Sequence, residues 1–577
     1  MDNMRTITIV FITLIANVSL VWAQTRSDPE AATGLRSSPL VKAERQMIVA
    51  ANPLASQAGA KILRDGGSAA DAMIATLLVL NVVEPQSSGI GGGAFALVDG
   101  PQGITSFDAR ETAPVAATPD LFLENGEPLP FIDAVLSGKS VGVPGLVRLM
   151  GVLHEKYGTL PWGRLFDDAI ALAENGFPVS PRLAGLLDTY QSRLNDTAAR
   201  KLFLSDGTPL VAGDMLLQPH LAATFRMIAA NGADAFYTGA LASEIVAAVD
   251  ASPRPGALAV ADLANYKVIE REPVCHPFRD YEVCGMGPPS SGATTVGQIL
   301  MLLDRFKPDE LYLDGARLWH LFGEASRLAY ADRARYLADS DFLKVPLRGL
   351  LDPSYITGRS LLIDPIRAST TRAVAGEPPW RDGSLNAPDT RLKDTGTTHV
   401  SVIDSNGLTI SLTASIETAF GSQRMAGGFL LNNQLTDFSF LPDRDGVPIA
   451  NAVAPGKRPR SSMSPTIVLK DGKPVVITGS PGGSRIPEYV AQNLVAILGY
   501  AKDPAEAAAL PHVSQRNRDT LAVEPFISND IKARLTAFGH RLDEREMTSG
   551  VHTIVVTPDG TLLGGADPRR EGLAVGD

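Results

Sequence analysis

The pair Gly396-Thr397 carries the residue types needed to cleave the peptide bond between them. A threonine hydroxyl can attack the preceding carbonyl, and glycine offers no steric bar to the strained backbone that this attack requires. The product would begin with Thr397, whose α-amino group, with an ordinary pKa of ~8, can accept the hydroxyl proton near neutral pH. Nucleophile and base then belong to one residue. Spacing alone also fits a threonine that merely begins a strand, and without further observations this simpler interpretation is favoured.

Other catalytic patterns are missing from the sequence. It contains no G-x-x-x-x-G-K-[ST] loop, no HExxH and no G-x-S-x-G. No two of the eight histidines stand at ligand spacing, so we expect no protein-bound metal. The run GIGGG at 89–93 has Ala94 where a dinucleotide loop needs glycine, which indicates close backbone packing instead. We therefore expect no cofactor.

Four hairpins are predicted to form the frame around Thr397. Alternating apolar residues flank Asn406-Gly407, and similar runs flank Asp-Gly pairs at 99–100, 471–472 and 559–560. The first of these hairpins begins directly after Thr397. Its position would hold the reactive hydroxyl at the start of a strand.

Helices and a linker complete the predicted organisation. Residues 54–84 predict a helix that breaks at Gly66-Gly67 and is followed by a buried segment at 69–83, and residues 317–335 predict a second long helix. Residues 374–396, rich in glycine, proline and charge, predict a flexible, exposed linker before the Gly396-Thr397 bond. Helices alongside hairpins indicate an α+β architecture with layered antiparallel sheets.

Composition and charge exclude several classes of protein. The 577 residues are 45% hydrophobic and 20% charged, which excludes disorder as the main state. The net charge of −11, with no basic stripe, argues against a nucleic-acid partner.

The N-terminus predicts export. An apolar run at 7–21 is followed by a small-x-small site, so residues 1–23 are interpreted as a signal peptide cut after Ala23, with an uncleaved anchor as the alternative. We expect a secreted, periplasmic protein with no membrane span in the mature chain. Export permits a disulfide between Cys275 and Cys284 across a hairpin, but the spacing equally fits two separate thiols.

An ordered set of motifs resembles the gamma-glutamyltranspeptidase family over roughly residues 40 to 570. The motifs are GGSAADA at 66–72, EPQSSGIGGG at 84–93, SFDARETAP at 106–114, TTHVS at 397–401, LNNQLTDF at 431–438, KRPRSSMSPT at 457–466, TGSPGGSR at 478–485 and DPR at 567–569.

The resemblance implies a fold and a processing event. The fold would be the four-layer αββα sandwich of N-terminal nucleophile hydrolases. Cleavage between Gly396 and Thr397 would give a large subunit, 24–396, and a small catalytic subunit, 397–577, that stay together as a heterodimer. The implied activity is hydrolysis or transfer of the γ-glutamyl group of glutathione-like amides, with water, amino acids or peptides as acceptors.

The resemblance also implies roles around the nucleophile. Thr397 would be acylated by the γ-glutamyl group, and the backbone of Gly482 and Gly483 would bind the oxyanion. Ser415 stands where family members often carry a second threonine that hydrogen-bonds the nucleophile.

The donor's α-carbon groups would bind at the other end of the pocket. The matching residues are Arg110, Ser461 and Ser462 for the α-carboxylate, and Gln434 and Asp437 for the α-ammonium.

Two departures from the family pattern affect specificity. Glu417 stands where members carry asparagine, and a second carboxylate beside Asp437 would favour a cationic α-amino group, provided that Glu417 points into the pocket. The stretch between Asp437 and Ser461 is short and has no tyrosine, which predicts a more open pocket. The alternatives are a glutaryl or cephalosporin acylase on the same fold, and an unprocessed, inactive binding protein.

Overall fold

Two seven-stranded sheets form the centre of the computed structural model, which describes residues 38–577 except 195, 252–253, 308–310, 314, 382–385 and 393–395. The predicted signal peptide, residues 1–23, lies outside the described residues. The first sheet has the strand order Ile269–Arg271, Gly103–Ala109, Gly93–Gly100, Thr409–Glu417, Gly396–Ile403, Met47–Ala50 and Leu573–Gly576. The second has the order Val41–Ala43, Leu562–Ala566, His552–Val556, Lys473–Thr478, Thr466–Lys470, Tyr281–Gly285 and Val274–Phe278. Each strand pairs antiparallel with its neighbours.

The two sheets pack face to face through apolar side chains. Val49 and Ile403 of the first sheet share a buried cluster with Ile477 and Ile554 of the second. Successive side chains of a strand point to opposite faces of its sheet. One face of each sheet therefore packs against the other sheet, and the opposite face packs against helices.

A large group of helices covers the outer face of the first sheet. Their buried residues join those of that sheet in one core. These helices are Pro53–Arg64, Ala69–Val83, Leu146–Tyr157, Asp167–Asn175, Pro181–Tyr190, Thr197–Phe203, Pro219–Asn231, Asp234–Tyr237, Gly239–Asp250 and Val260–Ala264.

A second group covers the outer face of the second sheet and shares its core. These helices are Gly292–Leu303, Ala316–Tyr336, Pro353–Ser360, Ile486–Leu494, Pro504–Ala509 and Asn529–Ala537. Two short helices, Phe131–Val135 and Leu347–Leu350, lie in smaller satellite clusters. The predicted four-layer αββα sandwich is confirmed.

The predicted elements are present, with small shifts. The buried segment at 69–83 is the helix Ala69–Val83, which is buried on all sides, and the long helix spans Ala316–Tyr336. One turn was placed wrongly: the strand Gly93–Gly100 runs through Asp99-Gly100, and Pro101 and Gln102 make the connection. The strand continues because Asp99 and Gly100 still pair with the returning strand.

Cys275 and Cys284 form a disulfide between directly paired residues of the strands Val274–Phe278 and Tyr281–Gly285. The alternative of two separate thiols is thereby excluded. Within the described ranges, no helix has the length and apolar character needed to cross a membrane.

Candidate active site

Thr397 lies in the strand Gly396–Ile403, and the chain is continuous through the predicted cleavage site. Its side chain is buried, and its Oγ1 donates a hydrogen bond to the Gly396 carbonyl oxygen at 2.6 Å. The nucleophile predicted from the sequence is therefore held beside the carbonyl that it must attack.

A β-bulge supports this position. Gly396 pairs with Glu417 and Thr398 pairs with Ala414, so two residues of the neighbouring strand oppose Thr397. An extra residue of this kind redirects a side chain locally. Ser415, in the bulge, donates from Oγ to the Gly396 carbonyl at 2.8 Å and lies 3.4 Å from Thr397 Oγ1. The hydroxyl of Ser415 itself accepts from the Glu417 backbone N–H at 2.8 Å, which fixes its direction.

A buried arginine binds the backbone of Thr397. Arg570 Nη1 donates to the Thr397 carbonyl at 3.0 Å, and its Nε donates to the Ser549 carbonyl at 3.0 Å. Sequence reasoning missed Arg570, although it directly follows the DPR motif at 567–569. Its position next to this motif is the sequence feature that could have indicated a role for Arg570.

Gly482 and Gly483 form the turn between the second sheet and the helix Ile486–Leu494. Both have positive φ, +131° and +57°, and a Cβ on Gly482 would collide with the ring of Tyr489. Gly483 lines the cavity that contains Thr397. Backbone N–H groups at the start of a helix are suited to a developing negative charge, which fits the predicted oxyanion site.

Arg110 and Asp437 lie at the other end of the cavity. Arg110 directly follows the strand Gly103–Ala109 and is buried, and its Nη2 donates to Asp437 Oδ2 at 2.5 Å. Gln434 Nε2 donates to the same oxygen at 3.0 Å. A fork of guanidinium donors and a carboxylate, side by side, can bind the carboxylate and the ammonium of one α-amino acid.

Glu111 lies behind Arg110, with Oε2 at 3.8 Å from Arg110 Nη1. Burial raises the pKa of Glu111 to about 8, and the charge of Arg110 opposes that rise. Around neutral pH the Glu111 carboxyl therefore keeps its proton, and Arg110 remains available to Asp437 and to a ligand.

Ser461 and Ser462 lie on the loop that wraps around Arg110, whose Nε donates to the Pro459 carbonyl at 3.1 Å. Ser462 Oγ accepts from Arg333 Nη2 at 2.7 Å. Burial, followed by the nearby charge of Arg460, lowers the pKa of Arg333 to about 9. Ser462 thus contacts a positive group other than Arg110.

These residues line one cavity of about 40 Å³. Eight of the ten predicted site residues belong to its lining: Arg110, Thr397, Ser415, Gln434, Asp437, Ser461, Ser462 and Gly483. The lining residues that sequence reasoning missed are Arg333, Asp389, Arg391, Arg460, Met463, Ser484 and Ile486.

Glu417 is predicted to place a second carboxylate beside Asp437. Its side chain is buried, and its Oε2 accepts from Asn433 Nδ2 at 3.0 Å. Glu417 is not one of the described residues that line the cavity. Glu417 is the last residue of its strand and has a φ of +83°. The role of Glu417 beside Asp437 stays a prediction.

The predicted flexible, exposed linker also needs correction. Asp389 is buried and accepts from Arg460 Nη2 at 3.1 Å, and Ala387 pairs with Ile449. The charge of Asp389 is stabilised by two arginines, so this part of the linker packs onto the body. Asp389 and Arg391 form part of the wall of the cavity in the uncut chain.

One group of side chains in the described part of the chain could meet the distance requirements for a metal, namely Cys275, Glu282 and Cys284. Both cysteines are already joined in the disulfide.

The αββα layers, with a threonine directly after a glycine at the start of a central strand, define an N-terminal nucleophile hydrolase. Comparison with known proteins gives the family. Residues 55–577 match the gamma-glutamyltranspeptidase family. The chain therefore belongs to the gamma-glutamyltranspeptidase family.

The relatives cover nearly the whole chain. A glutathione hydrolase proenzyme of Bacillus subtilis is 39% identical over 543 residues, which is 92% of this chain and 91% of the relative. A glutathione hydrolase proenzyme of Escherichia coli has the same identity and coverage. Among solved structures, a cephalosporin acylase from Bacillus halodurans superposes with a TM-score of 0.83 at 28% identity, covering 95% of this chain and 99% of that one. The predicted family and enzyme class, a gamma-glutamyltransferase made as a proenzyme, are confirmed.

Proposed function

We propose that the chain cleaves itself between Gly396 and Thr397, giving subunits 24–396 and 397–577. The contact that supports this is the Thr397 hydroxyl on the Gly396 carbonyl, with the Ser415 hydroxyl on the same oxygen. The two subunits stay together as a heterodimer because each sheet contains paired strands from both. For example, Gly396–Ile403 pairs with Met47–Ala50.

The mature enzyme hydrolyses the γ-glutamyl amide of glutathione and related compounds, a substrate that the names of the relatives support. The α-carboxylate binds Arg110 with Ser461 and Ser462, and the α-ammonium binds Asp437 and Gln434. When the α-carboxylate and the α-ammonium are bound in this way, the γ-carbonyl lies near Thr397.

The reaction proceeds in two stages. The Thr397 hydroxyl attacks the γ-carbonyl while the free α-amino group takes its proton, and the backbone of Gly482 and Gly483 stabilises the oxyanion. Collapse expels the amine, which receives the proton and leaves a γ-glutamyl ester on Thr397. Water, or the amino group of an amino acid or peptide, then attacks this ester, and the same base takes the proton of the attacking group. The ester C–O bond breaks, the base returns the proton to Thr397 Oγ1, and glutamate or a new γ-glutamyl amide is released.

A glutaryl or cephalosporin acylase is the alternative on the same fold, and fold alone does not choose between them. A glutaryl group has no α-ammonium. Asp437 is paired with Arg110 at 2.5 Å, and an α-ammonium would offer it a second cation, whereas a glutaryl group offers none. The case for a γ-glutamyl donor rests on Asp437 and Gln434.

Export to the periplasm is part of the proposal. Its support is the signal-peptide pattern at 1–23 and the Cys275–Cys284 disulfide, a bond that persists in oxidising compartments.

The test begins with intact mass under denaturing conditions. Two chains, the smaller starting at Thr397, are expected. The purified enzyme is then assayed with γ-glutamyl-p-nitroanilide and glutaryl-p-nitroanilide at equal concentrations. A faster reaction with the γ-glutamyl compound supports the proposal, whereas preference for the glutaryl compound would select the acylase. A chain that stays whole and inert would leave only the binding-protein alternative.

A further inference from the structure

A second and much larger cavity, of about 1060 Å³, adjoins the cavity of Thr397. The two share Asp389 and Arg391 in their walls. They also meet where Ser484 of the first cavity precedes Arg485 of the second. Arg516, in the wall of the large cavity, donates from Nη1 to Ser484 Oγ at 2.6 Å. The large cavity therefore opens beside the oxyanion turn.

The wall of the large cavity is basic in a protein that is acidic overall. Counting only residues that the structure describes, eight arginines and three aspartates line it, whereas the whole chain has a net charge of −11. Each aspartate has an arginine partner: Arg372 with Asp519 at 2.8 Å, Arg545 with Asp543 at 2.6 Å, and Arg391 with Asp389 at 3.5 Å. The arginines outnumber the carboxylates even after this pairing.

A buried carboxylate also acts on part of this wall. Glu488 accepts from the Arg516 backbone N–H and lies near the charges of Arg485 and Arg516. The negative charge of Glu488 partly offsets the positive charges of those two arginines. Arg444, Arg518 and Arg541 lie exposed at the cavity on other segments. The hydrogen bond and charge of Arg372, and then the charges of Arg541 and Arg518, hold the pKa of Asp519 below its usual range. With Glu488 included, the described wall has eight arginines against four carboxylates, so its charge is positive.

The position of this cavity decides which part of a substrate reaches it. Under the proposed function, the donor's α-carboxylate lies at Arg110 and its γ-carbonyl at Thr397. The amine half of the amide leaves on the far side of Thr397 from Arg110. Ser484 follows the proposed oxyanion turn, lines the cavity of Thr397 and accepts from Arg516 in the wall of the basic cavity. A leaving group that passes Ser484 therefore enters the basic cavity.

We propose that this cavity is a binding site for an acidic peptide leaving group, so that the enzyme prefers γ-glutamyl peptides that carry several carboxylates. Arginine forks match carboxylates in a bidentate manner. The volume of about 1060 Å³ slightly exceeds the range of about 300–1,000 Å³ that is usual for small-molecule sites, so a peptide has room there. Four of the arginines, Arg516, Arg518, Arg541 and Arg545, belong to the proposed small subunit and lie more than 100 positions beyond the proposed cleavage site.

This inference rests on the proposed γ-glutamyl hydrolysis, and the assay separates the two. The purified, cleaved enzyme is given γ-glutamyl-Asp-Asp and, as a neutral probe of the same size, γ-glutamyl-Asn-Asn amide. Release of each dipeptide gives kcat/KM. With γ-glutamyl-p-nitroanilide the same preparation reports the proposed function independently.

We expect kcat/KM to be at least about tenfold higher for the acidic probe at low salt, the scale of electrostatic steering into a charged cleft. The preference should shrink between about 0.01 M and about 1 M salt, where the screening length falls from about 30 to about 3 Å. The double variant Arg518→Gln/Arg541→Gln should lower the ratio of acidic to neutral kcat/KM about fivefold.

The matched control is Arg305→Gln/Arg367→Gln, which removes two exposed arginines that do not line the cavity. It should keep the wild-type ratio. Equal kcat/KM for the two probes, in an enzyme that hydrolyses the anilide, would overturn the inference alone. An equal loss of the ratio in the control would also overturn it, because net charge would then explain the preference. An enzyme inert towards all three substrates would remove the proposed function and this inference with it.

Discussion

Arg110 and Asp437 form a 2.5 Å ion pair inside the cavity of Thr397, although they are 327 positions apart in the chain. The arginine is almost fully buried and the Asp437 side chain is 21% exposed. In the absence of a ligand, the two groups proposed to bind the donor satisfy each other. A zwitterionic α-amino acid can replace both halves of the pair at once, whereas a simple carboxylic acid replaces only one. The pair therefore selects for a substrate that carries both charges.

Asp437→Asn should raise KM for γ-glutamyl-p-nitroanilide at least about tenfold while changing kcat less, because the variant loses a charged partner for the α-ammonium. The same substitution should narrow the difference between the γ-glutamyl and glutaryl anilides. Steady-state kinetics on both substrates give the answer. Asp443→Asn, on an exposed hairpin, is the control. An unchanged KM in Asp437→Asn would place the ammonium elsewhere.

Thr397→Ala should abolish self-cleavage, and Thr397→Ser should retain it, because the reaction needs a hydroxyl on the residue after Gly396. Intact mass after prolonged incubation distinguishes one chain from two. The neighbouring Thr398→Ala removes a buried hydroxyl without touching the contact to Gly396, and this variant should still be cut. Cleavage of Thr397→Ala at the same bond would exclude the hydroxyl as nucleophile.

Ser415→Ala should slow self-cleavage about a hundredfold. The Ser415 hydroxyl donates to the Gly396 carbonyl, on which negative charge develops during attack, and loss of one such donor typically costs about 3 kcal/mol. Ser415→Thr keeps the hydroxyl and should process at close to the wild-type rate. The measurement is the fraction of two-chain protein against time after synthesis. If alanine and threonine variants process alike, Ser415 has no part in the step.

The strands and helices were predictable because they depend on local patterns. The hairpin around Asn406-Gly407 needs only alternation and a turn: the Asp404 carboxylate accepts from the Asn406 and Leu408 backbone N–H groups. Gly407 has a φ of +85°, as that turn requires. The Asp99-Gly100 pair carries a similar signal, yet the strand runs through it. Pairing with the returning strand outweighed the local preference there.

The site was predictable only where a motif carried it. Arg333 and Arg391 reach the cavity through tertiary packing of a long helix and of the segment before the cleavage site, and neither has a sequence spacing that indicates it. Asp389 shows why the prediction of an exposed linker is wrong for this part of the chain. Its surroundings are rich in proline, glycine and charge, which locally predict exposure, but Arg460 supplies a buried partner from 71 positions away. Partners at such distances cannot be read from composition.

Glu111→Gln should reduce the loss of thermal stability on going from acid to neutral and mildly alkaline pH. Burial raises the pKa of Glu111 from 4.5 to about 8, so the folded protein keeps a proton that the unfolded chain has already released above about pH 4.5. The unfolded state then binds fewer protons than the folded state, and stability falls as pH rises from about 4.5 to about 8. Glutamine keeps the shape and does not titrate, so that contribution disappears. Melting temperatures at intervals across this range test the prediction, with the exposed Glu127→Gln as the control. If the melting temperature of Glu111→Gln falls with pH as steeply as that of the wild type, Glu111 is already ionised in the folded protein and is paired with Arg110.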